Sequence, residues 1–263
     1  MKKLIYTLLY FMLTAYSWGQ SYTWNIQPES HKFEKGKTLI EVVTGNWNGN
    51  SFKAYRNLAM VNNNYPDINI IVYHWGDYFE LSDTRSYING IGTLKVIPGA
   101  IVNRKGLDFK STDNWLSMVK VAQKNDYPIS FYFESGRGPD WSLYIKFERE
   151  IKNSKLMILL VEDPISEIIL ENPYPYVSTM DYFISEDKIL TTDIPSVLRD
   201  FILPPEGVSL TFPEGWSPIL TVKYNFNVTL SPDWDKNNIS IVAFIFDQNQ
   251  VYGSIKTPLF SKD

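Results

Sequence analysis

From Thr38 onward apolar blocks first alternate with stretches at helical spacing and later follow one another as strand-like segments, and this change of pattern divides the chain. "TLIEVV" (38–43) and "INIIVY" (68–73) are nearly continuous apolar runs, as expected of central strands covered on both faces. Between them Ser51 stands where a helix cap belongs, followed at helical spacing by Phe52, Tyr55, Leu58 and Ala59. Strand, helix and strand in that order predict a parallel crossover. A short helix is expected after Ser82 and Asp83, ended by Gly90 and Gly92. Pro98 cannot donate to a ladder and so marks the entry to a strand over 100–103, after which "NRKG" reads as a tight turn. Trp115, Met118, Val119 and Ala122 then form one face of a closing helix, with Ser111 or Thr112 as its cap.

After Asp126 the period changes. The segments 127–135, 141–150, 155–163, 239–247 and 250–256 are strand-like and separated by polar or Gly/Pro breaks. The clearest case is 220–230, where Leu220, Val222, Tyr224, Phe226, Val228 and Leu230 alternate with polar residues, the pattern of a half-buried antiparallel strand. Strands at this spacing without intervening helices predict a β-sandwich. The expected organisation is α+β in two domains, an α/β unit over 20–125 and an antiparallel β-sandwich over 126–263.

The first 19 residues read as a signal peptide, with Lys2 and Lys3, an apolar run from Leu4 to Thr14, and Ser17 and Gly19 at cleavage spacing. The run is shorter than the ~20 residues a spanning helix needs, so an exported chain of about 240 residues is expected, with membrane association peripheral at most. Two domains of about 100 to 140 residues fit that length, and each is large enough for its own core. The chain has no cysteine, which removes disulfides, thiol nucleophiles, thiolate metal sites and lipoprotein anchoring together. Oxygen, amine and imidazole chemistry remain. A net charge of −4 with interspersed signs argues against nucleic acid as a partner.

"LIEVVTGNWNGNSFKAYRNL" followed by "VIPGAIVNRKG", with "LLVED", "VLRDF" and "DWDKNNISIVAFIFD" further on, resembles the Omp28-related outer membrane protein family. The similarity runs from about Thr38 to Ile255 and implies a thioredoxin-like domain with a C-terminal β-sandwich. Thr44, Gly45, Trp47, Gly49 and Pro98 match the family's Thr-Gly-x-Trp-Cys-Gly-x-Cys loop and its proline segment, while Asn48 and Ser51 stand where its two cysteines would be. Thiol-disulfide exchange runs through a mixed disulfide, and neither an amide nor a hydroxyl forms one. The resemblance therefore implies a redox-inactive thioredoxin site at Trp47, Asn48, Ser51 and Pro98, serving as a contact surface. An X-Pro bond in the cis form at Ile97-Pro98 would leave neighbouring backbone for an extended peptide.

Other chemistries compete for the same residues. Ser51 at a helix start, His74 at the end of a parallel strand and Asp77 as orienting acid have the makings of a serine hydrolase, although a serine there is more commonly a cap. His74, Asp77 and His31 lack metal-ligand spacing. "DWDKNN" (233–238) resembles the start of a calcium loop but lacks the sixth-position glycine and has Phe244 where a glutamate is required. No cofactor or metal is expected. "HWGDYF", "RGPDW" and "NPYPYV" cluster rings beside polar groups, either to contact a ligand or to plug the ends of the sandwich. The expected function is a non-catalytic, exported protein of the periplasm, outer membrane surface or extracellular space that binds a peptide, protein or glycan. A hydrolase using Ser51 and His74 and a purely structural component of a surface assembly stand as alternatives.

Overall fold

The computed structural model describes residues 22–24, 32–106, 108–170, 190–212 and 220–260. The signal segment, His31 and "NPYPYV" lie outside them. After two short strands, β1 (Tyr22–Trp24) and β2 (Glu34–Lys35), the chain forms β3 (Thr38–Thr44), α1 (Ser51–Asn64) and β4 (Ile68–His74). β3 and β4 are parallel and buried along their full length, with Thr44 opposite His74. α2 (Thr84–Ile91) leads to a cis Ile97-Pro98 bond and to β5 (Gly99–Val102), antiparallel on β3. A 3-10 turn (Thr112–Asn114) and α3 (Trp115–Ala122) follow.

Strand alternation sorts the side chains onto two faces. Ile40, Val42, Ile70, Val72, Ala100 and Val102 meet Ala54, Tyr55, Leu58 and Val61 of α1 and Trp115, Val119 and Ala122 of α3. Leu39, Val43, Ile71, Tyr73 and Ile101 point the other way, into the larger core. Burying each large apolar side chain contributes roughly 1.5–3 kcal/mol, so packing, more than capping, holds the helices. The caps read from the sequence are corrected accordingly. Asn50, not Ser51, is the N-cap of α1 and makes no side-chain cap bond; Ser111 precedes the 3-10 turn without one either. Ala59 is exposed, and the buried face of α1 is Ser51, Ala54, Tyr55, Leu58 and Val61.

The rest of the described chain has no α-helix. It forms β6 (Ile129–Ser135), β7 (Asp140–Phe147), β8 (Lys155–Glu162), β9 (Ile165–Leu170), β10 (Leu190–Ile194), β11 (Val197–Phe201), β12 (Val208–Ser209), β13 (Leu220–Asn227), β14 (Ile239–Phe246) and β15 (Val251–Pro258). β13 buries every second residue from Leu220 to Phe226, as its alternation predicts. One sheet has the order β1-β13-β7-β6-β2, a second runs β15-β14-β8-β11-β4-β3-β5 with β12 also on β8, and β9 with β10 makes a ribbon. Phe131, Ile145 and Tyr224 of the five-stranded sheet share one core with Leu159 and Val242 of the larger sheet. The fold is thus mixed α+β and mostly sheet, with two sheets layered as a sandwich.

Pairing crosses the expected boundary near residue 125. β11 runs parallel to β4, with Val72 N–H donating to the Ser196 carbonyl at 2.9 Å. Lys37 and Ser254 exchange backbone bonds of 2.8 and 3.1 Å. Tyr127 itself is fastened to the first segment, its hydroxyl 2.7 Å from Thr38 Oγ1 and 2.8 Å from the Asn103 amide. The helix-bearing and helix-free segments therefore share a continuous sheet.

Candidate functional site

The loop after β3 turns sharply into α1 through backbone bonds from Asn48 N–H to the Gly45 carbonyl, 3.0 Å, and from Ser51 N–H to the Asn48 carbonyl, 2.8 Å. Trp47 sits at its tip, 42% exposed. Its indole N–H donates to the Trp75 carbonyl at 2.6 Å, so the ring is held against the loop that follows β4. Two glycines make room for it. A Cβ on Gly45 would lie 2.5 Å from Trp47 Nε1, and one on Gly76 would lie 2.9 Å from the same atom. Gly76 also has φ +79, a conformation that side chains other than glycine rarely adopt.

Asn48 and Ser51 are engaged within the fold. Asn48 Nδ2 donates to the Ile97 carbonyl at 2.6 Å, and its Oδ1 accepts the Asn50 N–H at 2.9 Å. Ser51 is fully buried; its hydroxyl donates to the Gly45 carbonyl and accepts from Thr44 Oγ1, both at 2.7 Å. Pro98 is buried beneath the loop. Of the four residues read from the sequence as one site, the structure brings all four to the same end of the sheet, and only Trp47 and the half-buried Asn48 reach its surface. The Ile97 carbonyl, adjacent to Pro98, already accepts from Asn48.

His74 and Asp77 lie behind this loop. His74 Nδ1 is 2.7 Å from Asp77 Oδ2, which also accepts the Asn46 N–H at 2.7 Å, while Oδ1 accepts the Phe79 N–H at 3.0 Å. Burial pushes the Asp77 carboxyl up, but His74 and these two amides outweigh it and hold the group below its ordinary value. His74 Nε2 is buried and has no hydrogen-bond partner; the hydrogen bonds of the Ser51 hydroxyl go to Thr44 and Gly45. The serine–histidine contact that a hydrolase needs is not formed. Asp77 instead ties the two loops together.

Of the aromatic clusters, "HWGDYF" adjoins Trp47. Trp75 is half-buried with the Arg85 guanidinium 5.1 Å above its ring, Arg85 is paired to Glu80, and Tyr78 is 74% exposed. "RGPDW" lies elsewhere, in the β6–β7 turn, where Trp141 packs edge-on against Phe133 at 6.4 Å. Asp235 in "DWDKNN" spends its oxygens on Asn237 N–H and the Asn238 amide. No three His, Cys, Asp or Glu side chains gather at metal-binding distance among the described residues.

One constellation is missed by the sequence reading. Glu41, inside the apolar run of β3, is fully buried and takes a two-point ion pair from Arg104, with 2.8 and 3.0 Å contacts from Nε and Nη2. The hydroxyls of Tyr73 and Tyr87 donate to the same carboxylate at 2.9 and 3.0 Å. Arg104 lies 4.4 Å from the ring of Phe246 in β14. Burial pulls its pKa down, and Glu41 more than reverses this, leaving the guanidinium above its ordinary value. The signal was present in "TLIEVV": a charge in a strand buried on both faces requires a buried partner.

No protein-family model matches the chain, and no curated relative matches it. Solved structures do. HBP35 of Porphyromonas gingivalis aligns with a TM-score of 0.58 at 12% identity, covering 86% of this chain and 76% of its own. Protein AGR_C_4864 from Agrobacterium tumefaciens aligns with a TM-score of 0.51 at 11% identity, covering 88% of this chain and 97% of its own. Both share the fold. A domain of the outer membrane lipoprotein Omp28 from Porphyromonas gingivalis overlaps 51% of this chain and 88% of its own at 15% identity, with a TM-score of 0.28, a value too low to support an argument.

Proposed function

We propose that the chain is a non-catalytic, exported protein of the cell envelope or surface that binds a peptide, protein or glycan through the Trp47 face of a redox-inactive, thioredoxin-like unit. The leader pattern supports export, and the order β3, α1, β4, α2, β5, α3 supports the thioredoxin-like reading. The observation that carries the binding role is Trp47, a large ring kept 42% exposed yet fixed by its own N–H on the Trp75 carbonyl. A rigid aromatic surface loses little entropy on contact, which is why such rings anchor interfaces. Asn48 and Ser51 brace the loop through their bonds to the Ile97 and Gly45 carbonyls.

The test is retention of ligands from an envelope extract, compared with binding to a glycan array, by the wild type and Trp47→Ala. Binding lost in the variant with an unchanged circular dichroism spectrum is the expected result. Equal binding by the two proteins would remove Trp47 from the site. Hydrolysis of ester or amide substrates that disappears in Ser51→Ala would establish the hydrolase alternative in its place.

A further inference from the structure

A second candidate site lies at the opposite end of the sheet from Trp47. Trp47 follows the C-terminal end of β3, whereas Arg104 follows β5, which runs antiparallel to β3. There a cleft of about 890 Å³ opens between α2, the turn before β8, the segment around β12 and the β14–β15 turn. Arg104 and Ser154 both line it, and both are buried, at 5% and 0% exposure. The hydrogen bonds of the guanidinium use Nε and Nη2, to Glu41 and Tyr87; Nη1 takes part in none of them. The Ser154 hydroxyl has no partner at all, although its carbonyl accepts the Leu210 N–H at 2.9 Å. A buried hydroxyl without a partner costs stability, and at the wall of a cleft it is the mark of a group awaiting a ligand or a water.

We propose that this cleft binds a neutral saccharide. The charge of the site selects against an anion. Arg104 is already matched by Glu41, and the cleft's two lysines, Lys152 and Lys155, are outnumbered by the three carboxylates that line it with them, Glu150, Glu206 and Asp247. What the cleft offers is a mixture of carboxylates and side-chain amides, which accept from and donate to hydroxyls, beside the half-buried ring of Phe212. A sugar presents the matching set, several hydroxyls around an apolar ring face.

The experiment applies the full-length protein to an array of neutral, sialylated and sulfated glycans, with Ser154→Val and Ser154→Ala alongside. Neutral glycans are expected to be retained. Because the hydroxyl has no partner in the unliganded fold, both variants should melt at or above the wild-type temperature while binding falls about ten-fold, the loss of one buried hydrogen bond to the ligand. No retained glycan, retention of acidic glycans alone, or wild-type binding by both variants would overturn the proposal, the last leaving a trapped water as the partner of Ser154. This site does not rest on the Trp47 reading. Glycan binding lost in Trp47→Ala and kept in the Ser154 variants would sink this proposal while leaving the Trp47 face intact.

Discussion

The buried pair Glu41–Arg104 permits a prediction whose size and pH dependence both follow from the structure. In Arg104→Met a fully buried carboxylate keeps two tyrosine hydroxyls but loses its cation. Breaking a buried pair typically costs about 3–5 kcal/mol. The stranded acid has an escape, however, because it can take up a proton. Uptake of a proton relieves a charge penalty by up to about 1.4 kcal/mol for each unit of acidification. Glu41→Gln strands the guanidinium, which has no such escape. The Arg104→Met deficit should therefore shrink by about 2–3 kcal/mol between pH 7 and pH 5, and the Glu41→Gln deficit should stay nearly constant.

The assay is urea unfolding followed by far-ultraviolet circular dichroism at the two pH values, each deficit taken against wild type at the same pH. Thermal melting offers a second reading, with a fall of about 2–4 °C per kcal/mol for a chain of this size. The double variant Glu41→Gln/Arg104→Met leaves neither charge unpaired, so it should be destabilised by clearly less than the sum of the singles. Additive single deficits, or an Arg104→Met deficit that is the same at pH 5 and pH 7, would refute the reasoning. The first result would mean that the charges do not interact across the contacts seen; the second, that the loss comes from packing over Phe246 alone.

Gly45→Ala should push the indole of Trp47 off the Trp75 carbonyl, because the new methyl group would meet Nε1 at 2.5 Å and that carbonyl oxygen at 2.6 Å; a tryptophan emission spectrum identical to wild type would contradict this. Asp200 is raised above its ordinary value by burial, against one opposing backbone hydrogen bond from Phe201. Its contribution to stability is therefore present below the unfolded carboxyl value and is lost as pH rises through the folded one. Asp200→Asn should accordingly raise the melting temperature at pH 7 and not near pH 3, and a gain of equal size at both would contradict the assignment. Single cysteines at positions 48 and 51 should differ in reactivity: Asn48→Cys, half-buried, should react with a thiol reagent in the native state, whereas Ser51→Cys, fully buried, should require unfolding. Equal native-state rates would place Ser51 at the surface.

How far the sequence revealed the fold depended on how local the signal was. The alternation from Leu220 to Phe226, the buried runs of β3 and β4 and the face of α3 are set by period and appear where they were expected. The continuous sheet was not visible, because β11 meets β4 through Val197 and Val72, a non-local pairing that no local period encodes. At the candidate site, Trp47, Asn48, Ser51 and Pro98 lie at one end of the sheet, but what each side chain bonds was not encoded locally. A serine at the start of a helix suggests a cap; here its hydroxyl turns back to the Gly45 carbonyl, since Thr44 on the adjoining strand end lies beside it in the interior. The Arg104 partnership was hidden for a different reason. "NRKG" looks like a solvated turn, and Asn103 and Arg104 do adopt the turn's positive φ values, 49 and 55, but the side chain of Arg104 folds inward to Glu41.

Asn48 and Ser51 give the loop its rigidity. A thiol is a weak hydrogen-bond donor, whereas an amide and a hydroxyl are strong ones. With Asn48 on the Ile97 carbonyl and Ser51 on the Gly45 carbonyl, the two side chains act as clamps, one from the loop to the proline segment and one across the turn itself. Asp77 adds a third, joining the Asn46 amide to the loop that carries Trp75. A site that must exchange covalent partners needs its reactive atoms unengaged at the surface. Here the hydrogen bonds of Asn48 and Ser51 are spent within the fold while the Trp47 ring stays exposed, and the proposed contact role rests on that contrast.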